Sequence, residues 1–203
     1  MALPLAWPAE EDESSFRAGE ANQAVLRHLG HWSLWPVMAT ILTGPRKSGR
    51  SLLARIFAAK TGGEMIDNAE TQEEETIFHA WNRAQTTRRP LLIIADAPPP
   101  VWRVALPDLA SRLAATPQIV ITEPDDELAK AILEKLLGMR GLAVRPELLT
   151  WLVQRIERSY VGIHRAVDAI DEMALVHRAQ PSIPLFRRAL EGIGVIDHSR
   201  SIG

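Results

Sequence analysis

One segment constrains the fold more than any other. An apolar run at residues 37–42 enters the loop Thr43-Gly44-Pro45-Arg46-Lys47-Ser48-Gly49-Arg50-Ser51, and a helical pattern follows at once. Strand, glycine-bounded loop and helix in this order make a phosphate cradle. The glycines free backbone N–H groups to face an anion, the helix N-terminus adds partial positive charge, and a hydroxyl such as that of Ser51 can hold magnesium. The pattern GxxxxGK[ST] asks for lysine where this chain has Arg50. A planar guanidinium pairs with phosphate but is not the compact charge that tracks a transferred phosphoryl group. The loop therefore predicts nucleotide binding through Gly44, Lys47, Ser48, Gly49, Arg50 and Ser51, and poor hydrolysis.

The rest of the chain agrees with an α/β fold. Helical spacing is expected over 20–29, where Ala24, Val25 and Leu29 form the apolar face, over 51–60 with Leu52, Leu53, Ile56 and Phe57, and over 73–88 with Ile77, Phe78 and Trp81. A very short strand is expected at 64–68, a strongly apolar one at 91–95 ending on Asp96, a short helix at 106–113 and a strand at 118–122. Beyond Pro124 the pattern is almost purely helical, with segments at 125–139, 146–156, 161–178 and 184–193. Alternating strands and helices followed by helices alone predict a parallel α/β base over 20–123 and an all-α lid over 124–196.

Composition narrows the function classes. A chain of 203 residues with a formal net charge of −2 has no basic excess for coating nucleic acid. The absence of cysteine removes disulfides, thiolate metal sites and cysteine nucleophiles. No apolar run is long enough to span a membrane and the N-terminus soon turns acidic, so a cytoplasmic location is expected. Residues 1–19 should form an extended arm and 197–203 a frayed tail. The arm's apolar tip around Leu3, Pro4 and Leu5 suits either a strap on the core or a peptide that docks on a partner.

A phosphate loop normally works with an aspartate at the end of a second strand. Hydrophobicity favours Asp96, because Leu91-Leu92-Ile93-Ile94-Ala95 is a far stronger strand than Met65-Ile66 before Asp67. Composition alone leaves the two open.

The order and spacing of Ile66-Asp67-Asn68-Ala69-Glu70, Ile77-Phe78, Asn82-Arg83, 91–96 with Pro98-Pro99, and Leu106-Pro107-Asp108-Leu109-Ala110-Ser111-Arg112-Leu113 resemble the DnaA-related AAA+ family, most closely its short Hda-type members. The resemblance covers nearly the whole chain, and 106–113 is its most specific part. It implies that Asp67 takes the magnesium-binding position with Ser51, that Asp96 takes the sensor-one position, and that ADP or ATP with Mg is the cofactor. It also implies that Arg112 is an arginine finger donated to a neighbouring subunit's nucleotide. On its own, such an arginine would cap its short helix or pair with Asp108.

Three departures from the family pattern carry expectations. One βα unit is missing between the loop helix and the strand at Met65, which predicts a shortened sheet with an edge open to a second copy or a peptide. Val161 stands where the sensor-two arginine is expected, with His164 and Arg165 one turn on. The arm matches the end of a sliding-clamp peptide through Leu3-Pro4-Leu5 but lacks its leading glutamine. The implied partners are DnaA, with Phe78 and Asn82 on the docking face, and the clamp, with DNA reached only through it. A self-sufficient ATPase using Arg50 and Asp67, and a nucleotide-independent adaptor, are the rival functions.

Overall fold

The computed structural model describes residues 16–194. Leu3, Pro4 and Leu5, the acidic cluster at 10–13 and the tail at 197–203 lie outside the described residues.

Four parallel strands form one sheet in the order β2-β3-β1-β4. They are β1 (Ala39–Thr43), β2 (Glu64–Ile66), β3 (Leu91–Ile94) and β4 (Gln118–Val120). β1 and β3 are buried along their whole length, and Ile41 lies opposite Ile93 on one side and Gln118 on the other. Strands covered on both faces read as continuous apolar runs, which is why these two were legible as runs. Parallel neighbours need crossovers. These are α2 (Arg50–Thr61), α3 (Glu74–Thr87) and α4 (Pro107–Ala114).

β3 lies between β1 and β2, so the strand that ends near Asp67 is an edge strand. The missing βα unit thus shows as a sheet with nothing beyond β2 among the described residues. A charged pair blunts that edge. Arg83 on α3 donates from Nε to Glu64 Oε1 at 2.8 Å and from a terminal nitrogen to Oε2. The guanidinium holds the Glu64 carboxyl below its ordinary range, and a fixed charge on an edge strand discourages unwanted pairing.

The first helix, α1 (Glu20–Gly30), differs in detail from its expected face. Ala21, Val25 and Leu29 are buried and Ala24 is exposed, because the inward stripe runs in steps of four from Ala21. Two short 3-10 turns, Trp32–Leu34 and Ala69–Thr71, had no sequence signal strong enough to register. Trp35 follows the first of them and stacks with His28 and with Phe57, its Nε1–H donating to the His28 carbonyl at 3.1 Å.

The described chain divides into two compact units. The first holds residues 16–17, 24–44 and 49–121, and the second holds 18–23, 45–48 and 122–194. The second unit contains α5 (Asp126–Met139), α6 (Pro146–Val153), α7 (Tyr160–His177) and α8 (Ile183–Gly192). Asp125 accepts from Leu128 N–H at 2.7 Å, Ser159 from Gly162 N–H at 2.9 Å and Ser182 from Leu185 N–H at 3.5 Å, so α5, α7 and α8 start on side-chain caps. Leu133, Leu152, Val167 and Phe186 are fully buried and make the centre of this unit's own core.

Candidate nucleotide site and arginine finger

Parallel strands bring their carboxyl ends to one end of the sheet, which is where ligands of open α/β sheets bind. The loop after β1, Asp67 after β2 and Asp96 after β3 share that end. The local backbone of the loop requires its glycines. Gly44 has φ 148°, and a Cβ there would lie 2.7 Å from the Ile121 carbonyl oxygen. Gly49 has φ 86° and caps α2 in the left-handed region, with no side chain accepting from the helix's first N–H groups. Lys47 takes φ 67°, an unusual value outside glycine. Ser48 Oγ is buried and has no hydrogen-bond partner among the described residues. An uncapped helix start and an orphaned hydroxyl fit an anionic group.

Arg50 is already engaged. Its guanidinium donates to the Ala95 carbonyl and, at 2.6 Å, to Asp96 Oδ1, and its side chain is only 11% exposed. The Asp96 N–H donates in turn to Glu70 Oε1 at 2.6 Å. The residue at the lysine position is thus tied across β1 and β3 to the end of the neighbouring strand. Sequence reasoning placed both Arg50 and Asp96 at the site but missed their pairing, and it quoted Glu70 within the family resemblance without placing it at the site. It also placed Phe16 in the extended arm over 1–19 without giving it a role. The Phe16 ring lies against the loop, 3.2 Å from where a Cβ of Gly49 would stand.

The hydrogen bonds of Asp67 are local ones. Its Oδ1 accepts from the Asn68 N–H at 3.0 Å and its carbonyl from Gln72 Nε2 at 3.2 Å. The described residues contain no group of three or more acidic, histidine or cysteine side chains arranged to hold a metal. Ser51 stands in the first turn of α2, half-buried.

Arg112 sits in the last turn of α4. No ion pair joins it to Asp108 among the described residues. Its guanidinium carbon lies 4.9 Å from the centroid of Phe78 and 4.7 Å from that of Trp81, both on α3. Asn82, one turn after Phe78, is half-buried, and its carbonyl accepts from the Thr86 hydroxyl at 3.1 Å. The start of α4 is fixed by Glu74, whose two carboxylate oxygens accept from the N–H groups of Ala105 at 2.8 Å and Leu106 at 2.6 Å.

In the helical unit, Val161 is 41% exposed and Arg165 is exposed. His164 is partly buried. Burial, and then the positive charge of Lys47, hold its pKa below the ordinary 6.5, with Asp168 acting the other way.

The architecture matches solved structures of DnaA and RuvB. Domain III of the Thermotoga maritima replication initiation protein DnaA superposes with a TM-score of 0.71 at 14% identity, over 90% of this chain and 96% of that one. The fold is that of an AAA+ module. The Thermotoga maritima RuvB Holliday junction branch migration motor follows at 0.66 and 12% identity, over 93% and 75%. The AMPPCP-bound DnaA of Aquifex aeolicus gives 0.58 and 17%, over 76% and 63%. At these identities the likeness concerns the AAA+ fold alone. No protein-family model matches the sequence. In sequence, the chain is 30% identical over 118 residues to an uncharacterized protein of Haemophilus influenzae, covering 58% of this chain. It spans about half, 51%, of that relative's length. Among the described residues no helix is long and apolar enough to cross a membrane.

Proposed function

We propose that this protein is a cytoplasmic, Hda-type AAA+ regulator of replication initiation that docks on DnaA and promotes hydrolysis of DnaA-bound ATP through Arg112. The observation that carries the reading is the state of that arginine. Its guanidinium carbon lies over two aromatic rings and the group makes no hydrogen bond or ion pair among the described residues, so its N–H donors are free for phosphate oxygens. An arginine supplied in trans neutralises charge that develops on a transferred phosphoryl group, an effect on the order of a thousandfold or more in rate. The superposition on DnaA domain III supports a partner of the same architecture.

The protein's own site has a different character. The loop residues Gly44, Lys47, Ser48, Gly49, Arg50 and Ser51 would hold the phosphates of ADP or ATP, with Ser51 and Asp67 towards magnesium. A bound magnesium nucleotide supplies charged phosphates to which loop and helix N–H groups can close. Arg50 is occupied by Asp96 and lacks the form of a catalytic lysine, which argues against a self-sufficient ATPase. The same pair favours a second reading, a nucleotide-independent AAA+ adaptor, because Asp96 already satisfies Arg50, the cation at the lysine position. In either reading the arm around Leu3, Pro4 and Leu5 would reach the sliding clamp and so the DNA, and Phe78 and Asn82 would lie on the face towards DnaA.

The test is single-turnover hydrolysis of ATP preloaded on DnaA, with and without this protein. Arg112→Ala should leave the fold intact and abolish stimulation. Stimulation equal to that of the parent protein would sink the proposal. Titration of the purified protein with ADP separates the two versions, since an adaptor would show no binding at millimolar ADP.

A further inference from the structure

We infer that one stripe of α3, Glu74-Phe78-Trp81, is a positioning device for Arg112. This rests on the trans-finger reading above and names the residues that make it work. Positions four and then three apart lie on one helical face, so a single surface of α3 meets α4 at three levels. At the entrance to α4, the Glu74 carboxylate accepts the N–H groups of Ala105 and Leu106. At the middle, Phe78 and Trp81 present their rings to the Arg112 guanidinium. At the exit, Trp81 Nε1–H donates to Thr116 Oγ1 at 3.0 Å, and the Thr116 hydroxyl donates to the Arg112 carbonyl at 2.8 Å.

The chemistry of the contact suits a finger. A carboxylate partner would take up the N–H edge of the guanidinium and neutralise it. Other arginines are held that way, Arg83 by Glu64 and Arg140 by Asp168. An aromatic face attracts the cation through the ring quadrupole and leaves its charge and donors available. The backbone bond through Thr116 fixes the root of the side chain while the rings fix its head. Less freedom then has to be surrendered when the guanidinium meets a phosphoryl group. Phe78 thus serves the reaction beyond any contact area it offers.

The experiment compares the full chain with Phe78→Leu, Phe78→Tyr, Glu74→Gln and Arg112→Ala, using two readouts. The first is the Arg112 side-chain Nε–H resonance, assigned by its loss in Arg112→Ala. It should be shifted upfield by the rings, return towards the free-arginine position in Phe78→Leu, and stay shifted in Phe78→Tyr. An unchanged resonance in Phe78→Leu overturns the positioning contact whatever the protein's function. The second readout is the rate of hydrolysis of initiator-bound ATP against protein concentration. Phe78→Leu should lower the plateau on the order of tenfold while leaving the half-saturating concentration unchanged, and Phe78→Tyr should restore it. Glu74→Gln, which acts at the far end of the stripe, should lower the plateau in the same sense. A raised half-saturating concentration with an unchanged plateau would make Phe78 a docking contact and overturn the positioning role. If Arg112→Ala stimulates like the parent, the trans-finger function fails, while the resonance still decides whether the positioning contact exists.

Discussion

Arg50 and Asp96 form an ion pair at 2.6 Å that ties the start of the phosphate-loop helix to the end of β3. The arginine is nearly buried and the aspartate side chain is 59% exposed. The cation at the lysine position is therefore satisfied from within, and any phosphate that uses Arg50 must compete with a carboxylate.

Asp96→Asn should relieve that competition. The amide keeps a hydrogen-bond acceptor but loses the charge, so ADP affinity should rise several-fold as the guanidinium becomes available. Because Asp96 is largely solvated, stability should change by less than about 1 kcal/mol. Titration with a fluorescent ADP analogue, alongside thermal denaturation, measures both. Unchanged or weaker binding would mean that Asp96 helps to hold nucleotide rather than excluding it.

Gly44→Ala tests the backbone of the cradle. Its φ of 148° and the 2.7 Å approach to the Ile121 carbonyl leave no room for a methyl group where β1 meets the chain leaving β4. Strain at such a position costs on the order of 1–3 kcal/mol. A lowered melting temperature is expected, and a variant as stable as the parent would show that the loop relaxes freely.

Most of the fold was legible because its elements are regular. β1 and β3 are apolar runs, and the helical spans read at 73–88 and 161–178 reappear as α3 and α7, with Ile77 and Trp81 buried as their spacing predicted. The position of β2 was a different matter. Three half-buried residues give almost no strand signal, and Asp67 was placed after an edge strand by resemblance rather than by hydrophobicity. The Arg50–Asp96 and Arg112–Phe78–Trp81 contacts were not legible at all. Each joins side chains more than 25 positions apart, and only the finished sheet and helix packing brings them together.

Tyr160 offers a test of the helical unit. Its hydroxyl is buried without a hydrogen-bond partner among the described residues, and burial, helped by Glu123 and Asp125, pushes its pKa up to about 12. A folded-state acid that ionises later than the unfolded one loses stability as pH rises between the two values. The parent should therefore weaken above pH ~10, the ordinary tyrosine value. Tyr160→Phe should be as stable as the parent or more so by about 1 kcal/mol at neutral pH, and flatter in alkali. A destabilised variant at neutral pH would reveal a partner for the hydroxyl.

His164 sets the acid side. Burial, and then Lys47, disfavour its protonated form, with Arg140 adding to them and Asp168 opposing. A histidine whose folded pKa lies below the unfolded value is more readily protonated in the unfolded chain. Its stabilising contribution is complete above about pH 6.5 and is lost as pH falls through the folded value. Urea midpoints should therefore fall between pH 7.5 and 5 in the parent and fall less in His164→Gln. Lys47→Ala should also reduce the fall, since it removes the nearby positive charge while leaving the imidazole in place. Part of the pH dependence should remain in both variants, because burial lowers the pKa of His28 in the α/β unit as well. Identical slopes in parent, His164→Gln and Lys47→Ala would show that this histidine is free to protonate in the folded state and that the loop lysine does not reach it.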